Sequence, residues 1–328
     1  MNIVEKVQYA RRHREYIPHY LESNLRMAGR HVRTGRLDYL LAAVCSGITG
    51  INPLVSYYRR QSADGLVYLD DIYGNVMCVS LADRGLSRDL LMYRTREERS
   101  TEIFREELRR IGARLEPATV LELGANIGYY ALQEADLLGP DARIFAFEPE
   151  PTNYALLEKN VRLNGYTDQF ITENKAAGTS RGKAELLVAP VSNQHRISES
   201  GNERTTTVDI VSISEYLAEW GVSPSDIDVV RMDVQGYEGK ILQDLRSVLT
   251  ADGPLLAFVE FHQGLDATEL DELIPILDTH FEIISALSSR GAQSWYEYPV
   301  DLHDFDDLRS LSRSVEVIML RRDRSEER

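Results

Sequence analysis

In VLELGANIGYY, Val120–Tyr130, an apolar run ends in the loop Gly124-Ala125-Asn126-Ile127-Gly128. Glycines at a strand-to-helix turn allow close backbone approach, and the free N–H groups opening the next helix attract an anion. Such a loop can hold a carboxylate. Glu148, 24 residues after Gly124, ends the next apolar run in AFEPEP, where its carboxylate can accept both hydroxyls of a ribose. Asp233 closes VVRMD, and Glu260 and His262 close AFVEFH. Acids and imidazoles at strand ends can take a proton from a bound hydroxyl, so Asp233 or His262 is a candidate base, with Glu260 converging on the same pocket.

A glycine loop followed by one acid fits either a dinucleotide or adenosylmethionine. Two features separate them. Asn126 stands where GxGxxG would place its middle glycine, the one that lets backbone approach a pyrophosphate. Glu122 and Glu148 also put two carboxylates at strand ends, which favours a cationic sulfonium over an anionic pyrophosphate. The plain alternative for Asp233 or Glu260 is a helix cap or an arginine pair.

These residues need a sheet whose strand ends meet. From Thr119 short apolar runs alternate with helical patterns, as in a doubly wound α/β sheet. Strands are expected at 120–123, 143–147, 169–172, 228–232, 255–261 and 281–285, with a last one at 314–320. Helices are expected at 127–138, 152–163, 213–220, 238–249 and 268–278. Residues 177–207 interrupt the alternation with a long polar stretch holding one strand, 184–189, and read as a lid. His195 in this stretch reads as a solvated loop residue. Upstream, two or three helices fill 1–60, LVYLDDIYGNVMCVSL reads as a hairpin, and Glu97–Ile111 as a helix with a solvated glutamate face. The division expected is a basic helical region, 1–60, then a catalytic domain, 61–328, with a lead-in hairpin and helix at 61–115 and the core at 116–328.

ELGANIGYY, AFEPEPTNYALLEKNVRLN, NKAAG, VVRMDVQGYEGKIL and AFVEFH follow one another as in FkbM-family methyltransferases, and 96–262 resembles that family throughout. The resemblance implies a class I methyltransferase fold: a Rossmann-like, mostly parallel seven-stranded sheet whose C-terminal strand, SVEVIML, inserts antiparallel. It also implies S-adenosylmethionine as donor and a hydroxyl acceptor on a sugar, glycan or small metabolite. Gly124, Ala125, Asn126, Gly128 and Tyr129 would line the donor. Glu148 with Pro149 would hold its ribose, and Lys175 and Ala176 would flank the adenine. Glu97 would belong to an acidic lead-in near the donor, and Asp233 would face the methyl-transfer centre. One departure stands out: the family's Asp-x-Glu-Gly is here Asp233-Val234-Gln235-Gly236, and Gln235 is neither a base nor a good metal ligand. With Asp233 and Glu260 as the only candidate carboxylates for Mg²⁺, no resident metal is expected.

Two rivals stand beside this reading. A nicotinamide-dependent oxidoreductase is disfavoured by Asn126 and by the short final strand. A non-catalytic binding protein on the same fold is suggested by Gln235 and the added N-terminal region.

The 328 residues carry a net charge of −15, which speaks against a nucleic-acid partner. Residues 1–60 differ, with ten Lys/Arg against four Asp/Glu. Beside the apolar 37–44 they suggest peripheral contact with an anionic membrane or a lipid carrier. Two distant cysteines, Cys45 and Cys78, and a start that does not read as a secretory signal point to the cytoplasm, and such contact would place the chain at the membrane's inner face.

Overall fold

The computed structural model describes residues 17–49, 53–115, 117–187, 195–197, 205–289 and 297–322. The chain divides into two compact units, Met1–Arg99 with Ser289–Tyr298, and Ser100–Ser288 with Pro299–Arg328.

In the first unit three helices, α1 (Ile17–Arg33), α2 (Leu37–Thr49) and α3 (Pro53–Gln61), precede the hairpin β1 (Leu66–Ile72) and β2 (Asn75–Ser80) and helix α4 (Leu86–Tyr93). The boundary read from sequence at residue 60 thus falls inside this unit. Helix α2 buries Tyr39 and Ala42, while Leu37, Leu41 and Val44 are each more than half exposed along one side. The hairpin turns through Tyr73 and Gly74, both at positive φ (53° and 93°), which suits the right-handed twist of the strands. Helix α4 was not expected. It has eight residues, and Gly85 gives no side-chain cap.

Helix α5 (Glu98–Gly112) leads into the second unit. Phe104, Leu108 and Ile111 are buried, with the Phe104 ring centroid 5.1 Å from that of Phe258. The expected solvated glutamate face is restricted to Glu102 and Glu106; Glu107 is buried because helical spacing turns it inward with Phe104 and Ile111, and Glu97 and Glu98, before and at the helix start, are buried too.

Then come β3 (Thr119–Leu123), α6 (Tyr129–Leu138), β4 (Arg143–Phe147), α7 (Pro151–Leu163) and β5 (Phe170–Glu173). Helix α6 starts two residues later than expected, because its N-cap Gly128 sits in the left-handed region at φ 90°. In place of a lid with a single strand, β6 (Ala176–Gly178), β7 (Gly182–Leu187), β8 (Arg196–Ile197) and β9 (Thr205–Ser212) form a separate four-stranded sheet in the order β6-β9-β7-β8. Its strands were hidden by polar outer faces: Thr207 on β9 donates to Glu185 on β7 at 2.7 Å. Residues 188–194 and 198–204 of the lid reading lie outside the described residues.

The chain continues through α8 (Ile213–Glu219), β10 (Val229–Met232), α9 (Glu238–Asp244), α10 (Arg246–Thr250), β11 (Leu256–Phe261), α11 (Ala267–His280), β12 (Phe281–Ser289), β13 (Glu297–Pro299) and β14 (Val315–Arg321). The single helix expected over 238–249 is two short ones meeting at Leu245. The main sheet has the order β13-β12-β14-β11-β10-β3-β4-β5. Strands β5, β4, β3, β10 and β11 are parallel, while β14 runs antiparallel between β11 and β12. This is the class I methyltransferase order, reversing at β3 where ligands gather in such sheets. It carries eight strands in place of the expected seven, since the three-residue β13 extends the edge beyond β12. Strands β3, β10 and β11 are buried on both faces, which is why they read as continuous apolar runs.

Candidate active site

At the carboxyl ends of β3, β4 and β10 lies a cavity lined by Gly124, Asn126, Glu148, Pro149, Asp233 and Gln235, among others. The loop after β3 is held tightly. The N–H groups of Gly124 and Ala125 both donate to the Phe147 carbonyl at 2.9 Å, and Asp233 N–H donates to the Leu123 carbonyl at 3.0 Å. Gly124 has φ 83°, and a Cβ there would collide with the Asp233 carbonyl oxygen, so only glycine fits. Asn126 is also left-handed (φ 50°), a region asparagine tolerates, and its Oδ1 accepts from Ile127 N–H at 2.9 Å.

Glu148 is 4% exposed. Its two oxygens accept from the N–H groups of Asn126 (2.8 Å) and Glu150 (2.9 Å), and the Asn153 side chain hydrogen-bonds the same carboxylate, which fixes it at the cavity wall. Burial raises its pKa to about 7, against the lowering effect of those three donors. Asn174, overlooked in the sequence, donates to the carbonyls of Glu148 and Pro149 and ties down the same segment.

Asp233 follows β10. Gln235, at φ 57°, donates from Nε2 to Asp233 Oδ1 at 2.6 Å, and Arg231 Nη2 stands 3.6 Å from Oδ2. Gln235 thus steadies Asp233 as a donor, which a glutamate at that position could not do while ionised. Arg231 also donates to Glu122 Oε1 (3.1 Å) and to the Gly124 carbonyl (3.2 Å), joining the two strand-end loops from below. Arg231 and Glu122 face each other in the β10–β3 register. Beside them Glu134 is fully buried, and burial raises the pKa of both glutamates. Neither Arg231 nor Glu134 was singled out from the sequence, where VVRM reads as an apolar strand.

Glu260 and His262 stand at the end of β11, beside β10. Asp233, Glu260 and His262 each offer a ligand atom within 4.8 Å of the others, so these three could hold a metal ion. A competing cation is built in. His262 Nδ1 lies 2.8 Å from Glu238 Oε1 and Nε2 lies 3.6 Å from Glu260 Oε1. Burial favours the neutral ring, but the Glu238 hydrogen bond and the charges of Glu260, Glu238 and Asp233 outweigh it and raise the pKa to about 10. A pKa of about 10 favours the protonated ring at neutral pH, which makes Asp233 the stronger of the two candidates for the base.

The remaining sequence candidates divide. Ala176 lines the cavity, as does His195, which had read as a solvated loop residue. Glu122 lies beneath the site, 1% exposed, paired with Arg231. Ala125 and Tyr129 are buried, with the Tyr129 hydroxyl 3.3 Å from Thr101 Oγ1. Gly128 caps α6, where a Cβ would meet Leu157 Cδ1 at 2.9 Å. Lys175 pairs with Glu173 Oε2 at 2.7 Å. Glu97 belongs to the first unit, at φ 44°, with Oε1 2.6 Å from Arg96 Nη2. Leu186 and Ile197 of the small sheet line the cavity too, beside His195.

Residues 122–294, more than half of the chain, match the model of the methyltransferase FkbM domain. The chain belongs to the FkbM methyltransferase family. Among curated proteins it is similar to the hexuronic acid methyltransferase AglP of Haloferax volcanii, 27% identical over 156 residues that cover 47% of this chain and 59% of AglP. It is also similar to the transmembrane O-methyltransferase of Macaca mulatta, 38% identical over 84 residues, 26% of each chain. The matched region therefore spans 59% of the length of AglP and about a quarter of the transmembrane O-methyltransferase. Among solved structures, the FkbM methyltransferase of Methylobacillus flagellatus covers 61% of this chain and 43% of its own at 15% identity and TM-score 0.36. M. jannaschii TYW2 in complex with AdoMet covers 79% and 86% at 13% identity and TM-score 0.41. No helix among the described residues is long and apolar enough to cross a membrane.

Proposed function

We propose that the protein is an S-adenosylmethionine-dependent O-methyltransferase acting on a hydroxyl of a sugar, glycan or small metabolite. The observation that carries this is the charge of the cavity: its described lining holds two carboxylates, Glu148 and Asp233, and neither lysine nor arginine. Such a site suits a sulfonium cation and repels a pyrophosphate. Glu148 would accept from the ribose hydroxyls. The Gly124–Gly128 loop would lie against the amino-acid end of the donor.

A sulfonium methyl is already electrophilic, so the protein has to align the acceptor oxygen and remove its proton. In the proposed step the acceptor oxygen bonds to the methyl carbon, the carbon–sulfur bond breaks towards sulfur, and the hydroxyl proton passes to Asp233. Gln235 and Arg231 hold Asp233 in place for this. His262, as an imidazolium, neutralises the carboxylates of Glu238 and Glu260 beside it. AglP, by its name, methylates a hexuronic acid, which favours a sugar acceptor here.

The test is transfer of labelled methyl from S-adenosylmethionine to glucuronic acid and a panel of uronic-acid oligosaccharides, with wild type and Asp233→Asn. We expect label in an ether-linked methyl group and turnover lower by at least about a hundredfold in the variant, as for loss of a general base. Equal turnover in both proteins would remove Asp233 from the reaction.

A further inference from the structure

The first unit holds a cavity of its own, about 250 Å³, lined by Arg30, His31, Arg36, Asp70, Tyr73 and Arg94 among others. Its basic side chains arrive from three directions: Arg30 and His31 from the last turn of α1, Arg36 from the loop after it, and Arg94 from the left-handed residue that ends α4 (φ 60°); burial and the neighbouring Arg30 lower the His31 pKa to about 4, so His31 is a neutral hydrogen-bonding group and the charge comes from the arginines. The cavity wall holds three guanidiniums and two carboxylates, Asp70 and Asp71, and Arg30 also pairs with Glu98 at 3.5 Å, which leaves Arg36 and Arg94 as the guanidiniums to meet a ligand.

Asp70 serves two of them, 2.7 Å from Arg36 and 3.2 Å from Arg94, yet its side chain is 67% exposed, where an ion pair contributes little. Arg30 donates to the Tyr73 hydroxyl at 2.8 Å. Two deeply buried polar atoms are left over. Arg94 Nε and His31 Nε2 make no hydrogen bond among the described residues, although the two residues are 6% and 1% exposed. An unsatisfied guanidinium nitrogen in a desolvated wall is costly, and an oxyanion in the cavity would relieve it.

We propose that this cavity binds a phosphate group, held by Arg36, Arg94 and His31, with Asp70 as the internal competitor for the same guanidiniums. Converging donors from separate elements suit a tetrahedral anion better than a planar carboxylate, and guanidinium forks match phosphate oxygens. The volume leaves room for the first atoms of whatever carries the phosphate. Two sources share this chemistry: a soluble phosphate ester and the phosphate of an anionic lipid headgroup.

The test uses the full chain. Inorganic phosphate is titrated by calorimetry and thermal unfolding against chloride at equal ionic strength, and co-sedimentation is measured with phosphatidylcholine vesicles with and without phosphatidylglycerol. Arg36→Gln and Asp70→Asn are run in parallel, since neither side chain is deeply buried. We expect saturable phosphate binding, at least about tenfold weaker in Arg36→Gln and tighter in Asp70→Asn, where two guanidiniums lose their competitor. The tightening is a response that a purely structural ion pair would not give. Phosphate binding with this pattern supports a soluble source. Binding confined to phosphatidylglycerol vesicles and lost in Arg36→Gln supports a headgroup. No binding of either, or binding equal in all three proteins, overturns the proposal.

Discussion

Glu148→Gln changes one oxygen for an amide in a site with no room for a donor. The two carboxylate oxygens accept from the N–H groups of Asn126 and Glu150, so the new NH₂ must face one of them. Whichever way the amide turns, one backbone donor and one ribose hydroxyl lose an anionic acceptor. A hydrogen bond to a charged group contributes about 1.5–3 kcal/mol, so the affinity for S-adenosylmethionine should fall roughly 10- to 150-fold. The burial that raises Glu148 to about 7 adds a second signature. Ribose hydroxyls stabilise the ionised carboxylate, so donor binding must expel a proton below pH 7. Wild-type affinity should then drop towards tenfold per unit as the pH falls below about 7, while that of Glu148→Gln stays flat. Calorimetry in two buffers of different ionisation enthalpy reads both effects, with circular dichroism confirming the fold. An affinity change under threefold in a folded variant, or no proton release at pH 6.5, would refute the role of Glu148.

Gly124→Ala places a methyl against the Asp233 carbonyl at positive φ; we expect at least about 2 kcal/mol of lost stability in urea unfolding, and an unchanged midpoint would contradict the tight loop. Gln235→Glu removes the donor that holds Asp233 and sets a like charge beside it, so turnover should fall at least about tenfold with donor affinity little changed; unchanged turnover would show that Gln235 does not position Asp233. With an imidazolium already among these carboxylates, turnover should persist in excess chelator, whereas loss restored by Mg²⁺ would put a metal between Asp233, Glu260 and His262. The raised pKa of His262 makes its ion pair with Glu238 stabilising below pH 6.5 and progressively lost towards about pH 10. Stability should therefore fall over that window in wild type, and less steeply in His262→Gln.

The parallel strands were legible because burial on both faces makes them apolar throughout, and Gly124, Asn126 and Glu148 because their positions at strand ends allow few other uses. What escaped notice depends on neighbours distant in sequence. Arg231 meets Glu122 only through the β10–β3 register, and His262 meets Glu238 only where β11 comes beside the start of α9. The basicity of His262 is set by those carboxylates, which its residue type alone does not reveal. The small sheet was hidden for another reason: β6 is Ala-Ala-Gly, with no β-branched residue to mark it, and β7 and β9 present threonine and glutamate outward.

The reading rests on a donor that is cationic and free of pyrophosphate. It is tested most directly by titrating the unmodified protein with S-adenosylmethionine, S-adenosylhomocysteine and NAD under one set of conditions. The account predicts stoichiometric binding of the first two and none of the third. Binding of NAD with no response to S-adenosylmethionine would contradict it.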